Sequence, residues 1–161
     1  MAGVGPPKGA DELREVALDY LASHNVITLA THGEGGLWAA AVFYVNRDFR
    51  IYFLSSPKSR HSLDIEADPQ VAATIQEDYG DWPEIKGIQL EGSARRIKGR
   101  EKEEAVAAFR AKYPLLREFK AAPISIVEAF NRMAWYELTP TRLYFIDNSK
   151  DFGHRDEVPL T

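Results

Sequence analysis

Residues Asn25–Ser56, NVITLATHGEGGLWAAAVFYVNRDFRIYFLSS, decide the fold. Val26–Thr31 and Leu37–Val45 read as two strands joined by the Gly-rich turn HGEGG. NRDF makes a second turn, and Arg50–Leu54 (RIYFL) supplies a third strand. The glycines of GEGG lie between two strands, which makes them a hairpin and not a phosphate loop opening a helix. Successive short hairpins imply an antiparallel sheet that curls or closes, not a doubly wound one.

Working outward, Asp11–His24 carries apolar Leu13, Val16, Ala17, Tyr20 and Leu21 at the spacing of a one-sided helix. Ser59–Ala67 is a short helix stopped by the Asp68–Pro69 pair, because the residue before proline is pushed out of the helical region. QVAATIQ (Gln70–Gln76) is a fourth strand, YGDWPEIKG a loop, and IQLEGSARRIK (Ile88–Lys98) a long fifth strand expected to bend at Gly92. Glu101–Tyr113 returns to helical period, with Val106, Phe109 and Tyr113 on one stripe. Tyr113–Asn131 is a proline-punctuated, short-helical crossover. MAWYEL and RLYFID are expected as two further strands around TPT. The result is an α+β, mainly β protein: a small antiparallel barrel of six to seven strands with peripheral helices. It forms a single domain over residues 10–148, with a flexible Gly/Pro-rich tail at 1–9 and a polar tail at 149–161.

The totals bound the function. The 161 residues are 45% hydrophobic and 27% charged, as in an ordinary soluble domain. A net charge of −4, with no basic run, argues against nucleic acid as a partner. No apolar stretch approaches the length needed to span a bilayer, and MAGVGPPKGA lacks the apolar core of a signal peptide, so the expected location is cytoplasmic, away from membranes. Without cysteine there is no disulfide, thiolate metal site or cysteine nucleophile.

Few motifs carry chemistry. His24, His32, His61 and His154 form no H-x-x-x-H or H-x-H pair, so no metal site is expected. SSPKS is not the G-x-S-x-G elbow of a hydrolase. The informative stretch is SSPKSRHS, Ser55–Ser62. Lys58, Arg60 and His61 fall in the first turn of a helix, whose positive end ordinarily favours acidic side chains. On one reading Ser56 or Ser59 is a plain N-cap and the cations are solvated. On the other, the hydroxyls of Ser55 and Ser59, the free N–H groups of the first turn, and the heads of Lys58 and Arg60 converge on a phosphate, whose charge reverses the unfavourable dipole term.

The succession GGLWAAAVFYVNRDFRIYFLSS, KSRH, DPQVAATI and KGIQLEGSARRI, in order from Asn25 to Ile97, resembles the pyridoxamine-5′-phosphate-oxidase-like family of FMN-binding split β-barrels. WYELTPTRLYFID resembles the closing strands of that family. The resemblance implies a split β-barrel homodimer with FMN at the subunit interface. Its activity would be that of a flavin-dependent oxidoreductase using NAD(P)H, a small-molecule substrate and an acceptor the sequence does not name. It also implies site residues. Ser55 matches the strand-end hydroxyl that holds the flavin phosphate, Ser59 the helix-start serine and Arg60 the arginine. His61 stands where lysine is common, with Lys58 placed to compensate. The backbone at Ala40, Ala41 and Val42 would follow the isoalloxazine edge, and Gln89 would reach the ring from the partner subunit.

Departures narrow this. The family's vitamin B6 oxidases close with a Trp…Arg-x-His-Asp-Arg signature, whereas here Trp135 is followed by YELTPTRLYF and only FGHR (Phe152–Arg155) echoes the ending. Oxidation of vitamin B6 is therefore not expected. Relatives that bind the deazaflavin F420 or haem, or that carry a cofactor without redox activity, define the alternatives, with His154 the candidate haem ligand. Tyr79, Trp82 and Trp135 either cover the ring or pack the core or the interface. Arg155 either meets a substrate anion or is solvated. No catalytic residue is assigned.

Overall fold

A computed structural model describes residues 9–114 and 122–161; residues 1–8, and 115–121 of the expected crossover, lie outside the described residues. Seven strands and four α-helices follow one another as α1 (Ala10–Ser23), β1 (Val26–Gly33), β2 (Gly36–Arg47), β3 (Arg50–Ser55), α2 (Arg60–Ala67), β4 (Gln70–Gln76), β5 (Lys86–Ile97), α3 (Gly99–Lys112), α4 (Ile124–Asn131), β6 (Ala134–Asp147) and β7 (Arg155–Glu157). The sheet runs β3-β2-β1-β4-β5-β6-β7, and a further β3–β6 pairing closes the first six strands into an antiparallel barrel.

Both hairpins sit where the sequence places them. Gly36, at φ 86°, closes the β1–β2 turn, and Asp48, at φ 53°, the β2–β3 turn. Asp is among the residues that tolerate this left-handed conformation. β2 is longer than either neighbour. It pairs with β1 from Gly36 to Phe43 but with β3 only from Tyr44 to Arg47. Continuing the β2–β3 register would set Ser55 opposite Val42, yet the ladder stops at Tyr44–Phe53 and the strands part. On its side away from β1, the first half of β2 thus has no strand partner among the described residues.

The segment expected as two strands around TPT is instead one strand, β6. Its first residues pair with β3 and Tyr144–Ile146 pair with β7, while β5 runs along nearly its whole length. Pro140 does not break it because the register slips there: Glu91 pairs with Arg142 and Gly92 with Pro140, leaving Thr141 bulged. Gly92 is required at this point, since a Cβ there would overlap the carbonyl of Thr139 and Cα of Pro140. The bend expected at Gly92 is this bulge. Residues 155–157, read as part of a polar tail, form β7.

Apolar side chains fill the barrel, among them Ile27, Leu29, Tyr44, Ile51, Phe53, Ile75, Ile88, Tyr136 and Leu138, with Ala17, Tyr20 and Leu21 of α1 packed on them. A second core lies outside the barrel, where Ala105 and Phe109 of α3 cover Val45, Tyr52, Ile97 and Trp135. Trp135 is 1% exposed, with Phe109 and Phe130 edge-on against it. It packs the core and does not reach a ligand ring. No helix among the described residues is long and apolar enough to cross a membrane.

Candidate functional site

The parting of β2 and β3 creates a corner that α2 fills. Ser55 ends β3, the turn Ser56–Ser59 follows, and α2 packs back on β1 and β2. Ser59 occupies the N-cap position, but its side chain makes no capping bond. Its hydroxyl lies 2.8 Å from the carbonyl oxygen of Ser56 and 2.8 Å from Ser62 Oγ. The plain N-cap reading of Ser59 is therefore not what the structure shows. No hydrogen bond among the described residues is accepted from the backbone N–H groups of Arg60, His61 and Ser62, leaving three donors at the positive end of α2.

His61 gathers the corner together. Its Nε2 lies 2.5 Å from Ser55 Oγ and 3.2 Å from Ser59 Oγ. The ring is 8% exposed, and burial pushes the imidazole below its ordinary pKa, against the upward pull of Asp64 one turn on. Asp64 is itself buried and accepts from Thr31 Oγ1 at 2.8 Å, which ties α2 to β1.

Arg60 does not join the serines. Its Nη2 donates to the carbonyl of Gly35 at 2.7 Å, with a longer contact of 3.4 Å to that of Leu37, and its guanidinium lies over the Trp38 ring at 4.5 Å. It fastens α2 to the β1–β2 hairpin along the open edge of β2. Lys58 is exposed and has no ion pair among the described residues.

The Leu37 carbonyl points to the open edge of β2. By the two-residue period of a strand, the N–H and C=O groups of Ala39 and Ala41 point there as well. Side chains alternate across this stretch: Ala40 and Val42 are half-buried on the barrel side, and Ala41 is exposed. Gln89 is exposed and lies in one lateral row with Ala41, Thr28 and Thr74. Three strand spacings separate Ala41 from Gln89, roughly 14 Å, more than one side chain bridges. Within one subunit they are two separate places.

The other candidates are dispersed. The Tyr79 hydroxyl bonds that of Tyr20 at 3.0 Å. Trp82 is exposed and meets Phe152 edge-on, their loops joined by Asn148, whose Nδ2 donates to the Trp82 carbonyl. His154 Nε2 is held by Asp156 at 2.8 Å. Arg155 lies over Tyr144, with a 3.5 Å contact to Gln89. Two features were not legible in the sequence: the Arg60–Trp38 stack and the open edge of β2. Both depend on where the β2–β3 ladder ends, which no local pattern encodes.

The model of the pyridoxamine 5′-phosphate oxidase family matches residues 13–147. The chain belongs to this family. A curated relative, UPF0306 protein YhbP of Salmonella paratyphi A, is 30% identical over 138 residues, covering 84% of this chain and 86% of that protein. Among solved structures, a heme binding protein from Mycobacterium smegmatis superposes with a TM-score of 0.69 at 24% identity, over 98% of this chain and 60% of that one. A FAD-binding protein from Mesorhizobium loti gives 0.61 at 14% identity, over 80% and 90%. These superpositions show a shared fold.

Proposed function

We propose that the chain is a homodimeric FMN-binding protein that reduces a small-molecule acceptor with electrons from NAD(P)H. The observation that carries this reading is the adjacency of a polar corner and an open strand edge. At the β3–α2 corner stand two hydroxyls, three N–H groups and the Lys58 ammonium, and among the described residues no carboxylate is bonded to any of them. That donor set suits a phosphate dianion. Beside it runs the unpaired backbone edge of β2 at Ala39–Ala41, where small side chains admit a flat ring and free N–H and C=O groups match its polar rim.

FMN would supply the hydride chemistry. The protein's part is position: Ser55, Ser59 and Lys58 hold the phosphate, Arg60 sets the distance from corner to edge, and Ala40–Val42 carry the backbone along the ring. Gln89 and Ala41 are too far apart to contact one ring from one subunit, which supports Gln89 acting from the partner. The outer sheet face supports the dimer. Leu37 and Phe43 are 81% and 57% exposed there, beside Ala39, Ala41, Thr28, Ala30 and Ala72. Contiguous exposed apolar patches mark interaction sites.

The test is the visible spectrum of protein equilibrated with FMN and then dialysed. Retained flavin absorption supports the reading. A protein that keeps no flavin, or that takes up haemin with a Soret band in place of FMN, rejects it.

A further inference from the structure

We propose that binding of a phosphate group at the β3–α2 corner is coupled to the uptake of one proton by His61, so that His61 sets the affinity of the site. The inference rests on the phosphate reading above and follows from counting hydrogens. Ser55 Oγ and Nε2 of a buried imidazole lie 2.5 Å apart and share one hydrogen, given by either atom according to the ring tautomer. The hydrogen of Ser59 is directed to the Ser56 carbonyl, which can only accept. Ser55 is therefore the hydroxyl paired with His61.

An arriving phosphate oxygen competes for that same hydrogen. When Ser55 turns to donate to it, a neutral ring with its hydrogen on Nδ1 leaves the Nε2 lone pair facing a dianion, and one with its hydrogen on Nε2 donates only as a neutral group. A buried acceptor without a donor is costly, and more so beside a negative charge. One proton on Nε2 removes both penalties: the imidazolium donates to the phosphate as a charge-assisted bond, and Ser55 is free to donate as well.

The surroundings allow the change. Asp64, on the next turn of the same helix, favours the charged ring. Toward β1, Asp64 is held by Thr31, and toward β2 the cation Arg60 is engaged by the Gly35 carbonyl and Trp38. No ionisable side chain of β1, β2 or β5, the strands packed on α2, is bonded to the imidazole. Burial favours the neutral ring without a ligand and an adjacent dianion favours the charged one, so a proton is taken from solvent as the anion binds. Affinity then falls as pH rises between the free and bound pKa values of His61, by up to about tenfold per pH unit.

Isothermal titration of the full-length protein with FMN at pH 7.5, in two buffers of different ionisation enthalpy, reads the coupling directly. The expected result is a buffer-dependent enthalpy corresponding to net uptake approaching about one proton per FMN, lost in His61→Lys, which carries its charge beforehand. The FMN phosphate, with a second pKa of about 6, contributes equally to both proteins. Histidine NMR of the wild type provides a readout that needs no variant: the His61 ring should shift to its imidazolium signature on adding FMN. FMN binding with a buffer-independent enthalpy and an unshifted ring overturns the coupling while leaving the phosphate site standing. No FMN binding at all overturns both.

Discussion

The carboxylate of Asp64 occupies the space that a side chain at Gly33 would need, and its Oδ2 accepts from Thr31 at 2.8 Å. Three residues from two elements thereby fix how α2 sits on β1, and with it where Ser59 and His61 lie. A methyl group at Gly33 must push the carboxylate off Thr31. Gly33→Ala is expected to cost about 1–3 kcal/mol by overpacking. Because the clash is with Asp64, the penalty should shrink in an Asp64→Ala background. Urea unfolding of the two single variants and the double variant measures this, and strict additivity would show that Gly33 acts through something else.

Gly92 answers to backbone, not to a side chain. Its hypothetical Cβ meets Thr139 and Pro140 at the β5–β6 bulge, and neither can rotate away. Gly92→Ala should therefore cost at least about 2 kcal/mol, with no single partner substitution restoring it. The unfolding midpoint of Gly92→Ala, alone and with Thr139→Ala, checks this.

Lys112 gives the stability a pH signature. Its ammonium lies 4.2 Å from the Tyr44 ring centre and donates to the carbonyl of His24. Burial pushes its pKa down from 10.5 to about 8. Between those values the unfolded chain holds a proton that the folded chain has released, so stability should rise with pH from about 8 towards 10. Lys112 is half-buried, and after allowance for solvent screening the gain is about 1–2 kcal/mol. Above pH 10 the trend reverses: burial raises the pKa values of Tyr20, Tyr44 and Tyr113, and the unfolded chain ionises its tyrosines first. Chemical unfolding from pH 7 to 10 should show the rise in the wild type and not in Lys112→Met.

The outer sheet face should carry the dimer. Phe43→Glu or Ala41→Glu places a charge among Thr28, Ala30 and Ala39 without touching the barrel interior. Sedimentation velocity is expected to show a dimer for the wild type and a monomer for either variant, with unchanged circular dichroism. A wild-type monomer at micromolar concentration would contradict the assignment.

Much of this molecule was legible in its sequence, and the exceptions share a cause. The β1–β2–β3 meander was readable because Gly36 and Asp48 punctuate strands of strong local preference. α1 was readable because Ala17, Tyr20 and Leu21 repeat at helical period. β6 was misread as two strands because Pro140 normally ends a strand, whereas here it sits at a bulge opposite Gly92, a relationship between positions far apart in the chain. β7 has no apolar alternation and exists by pairing with β6. At the site, the nearness of Ser55 to Ser59 was implied by the spacing of SSPKSRHS. The engagement of Arg60 with Gly35 and Trp38 was not, because it depends on how a hairpin tip meets a helix.

The central claim, that the β3–α2 corner holds the phosphate of FMN, is tested most directly by the dissociation constant of FMN for the wild type against Ser55→Ala/Ser59→Ala, measured by quenching of flavin fluorescence. Loss of the Ser55 donor to a charged group, together with the Ser59 hydroxyl that braces the corner, predicts weakening by at least about tenfold, with riboflavin, which lacks the phosphate, bound equally by both proteins. Equal FMN affinity in the two proteins would contradict the claim.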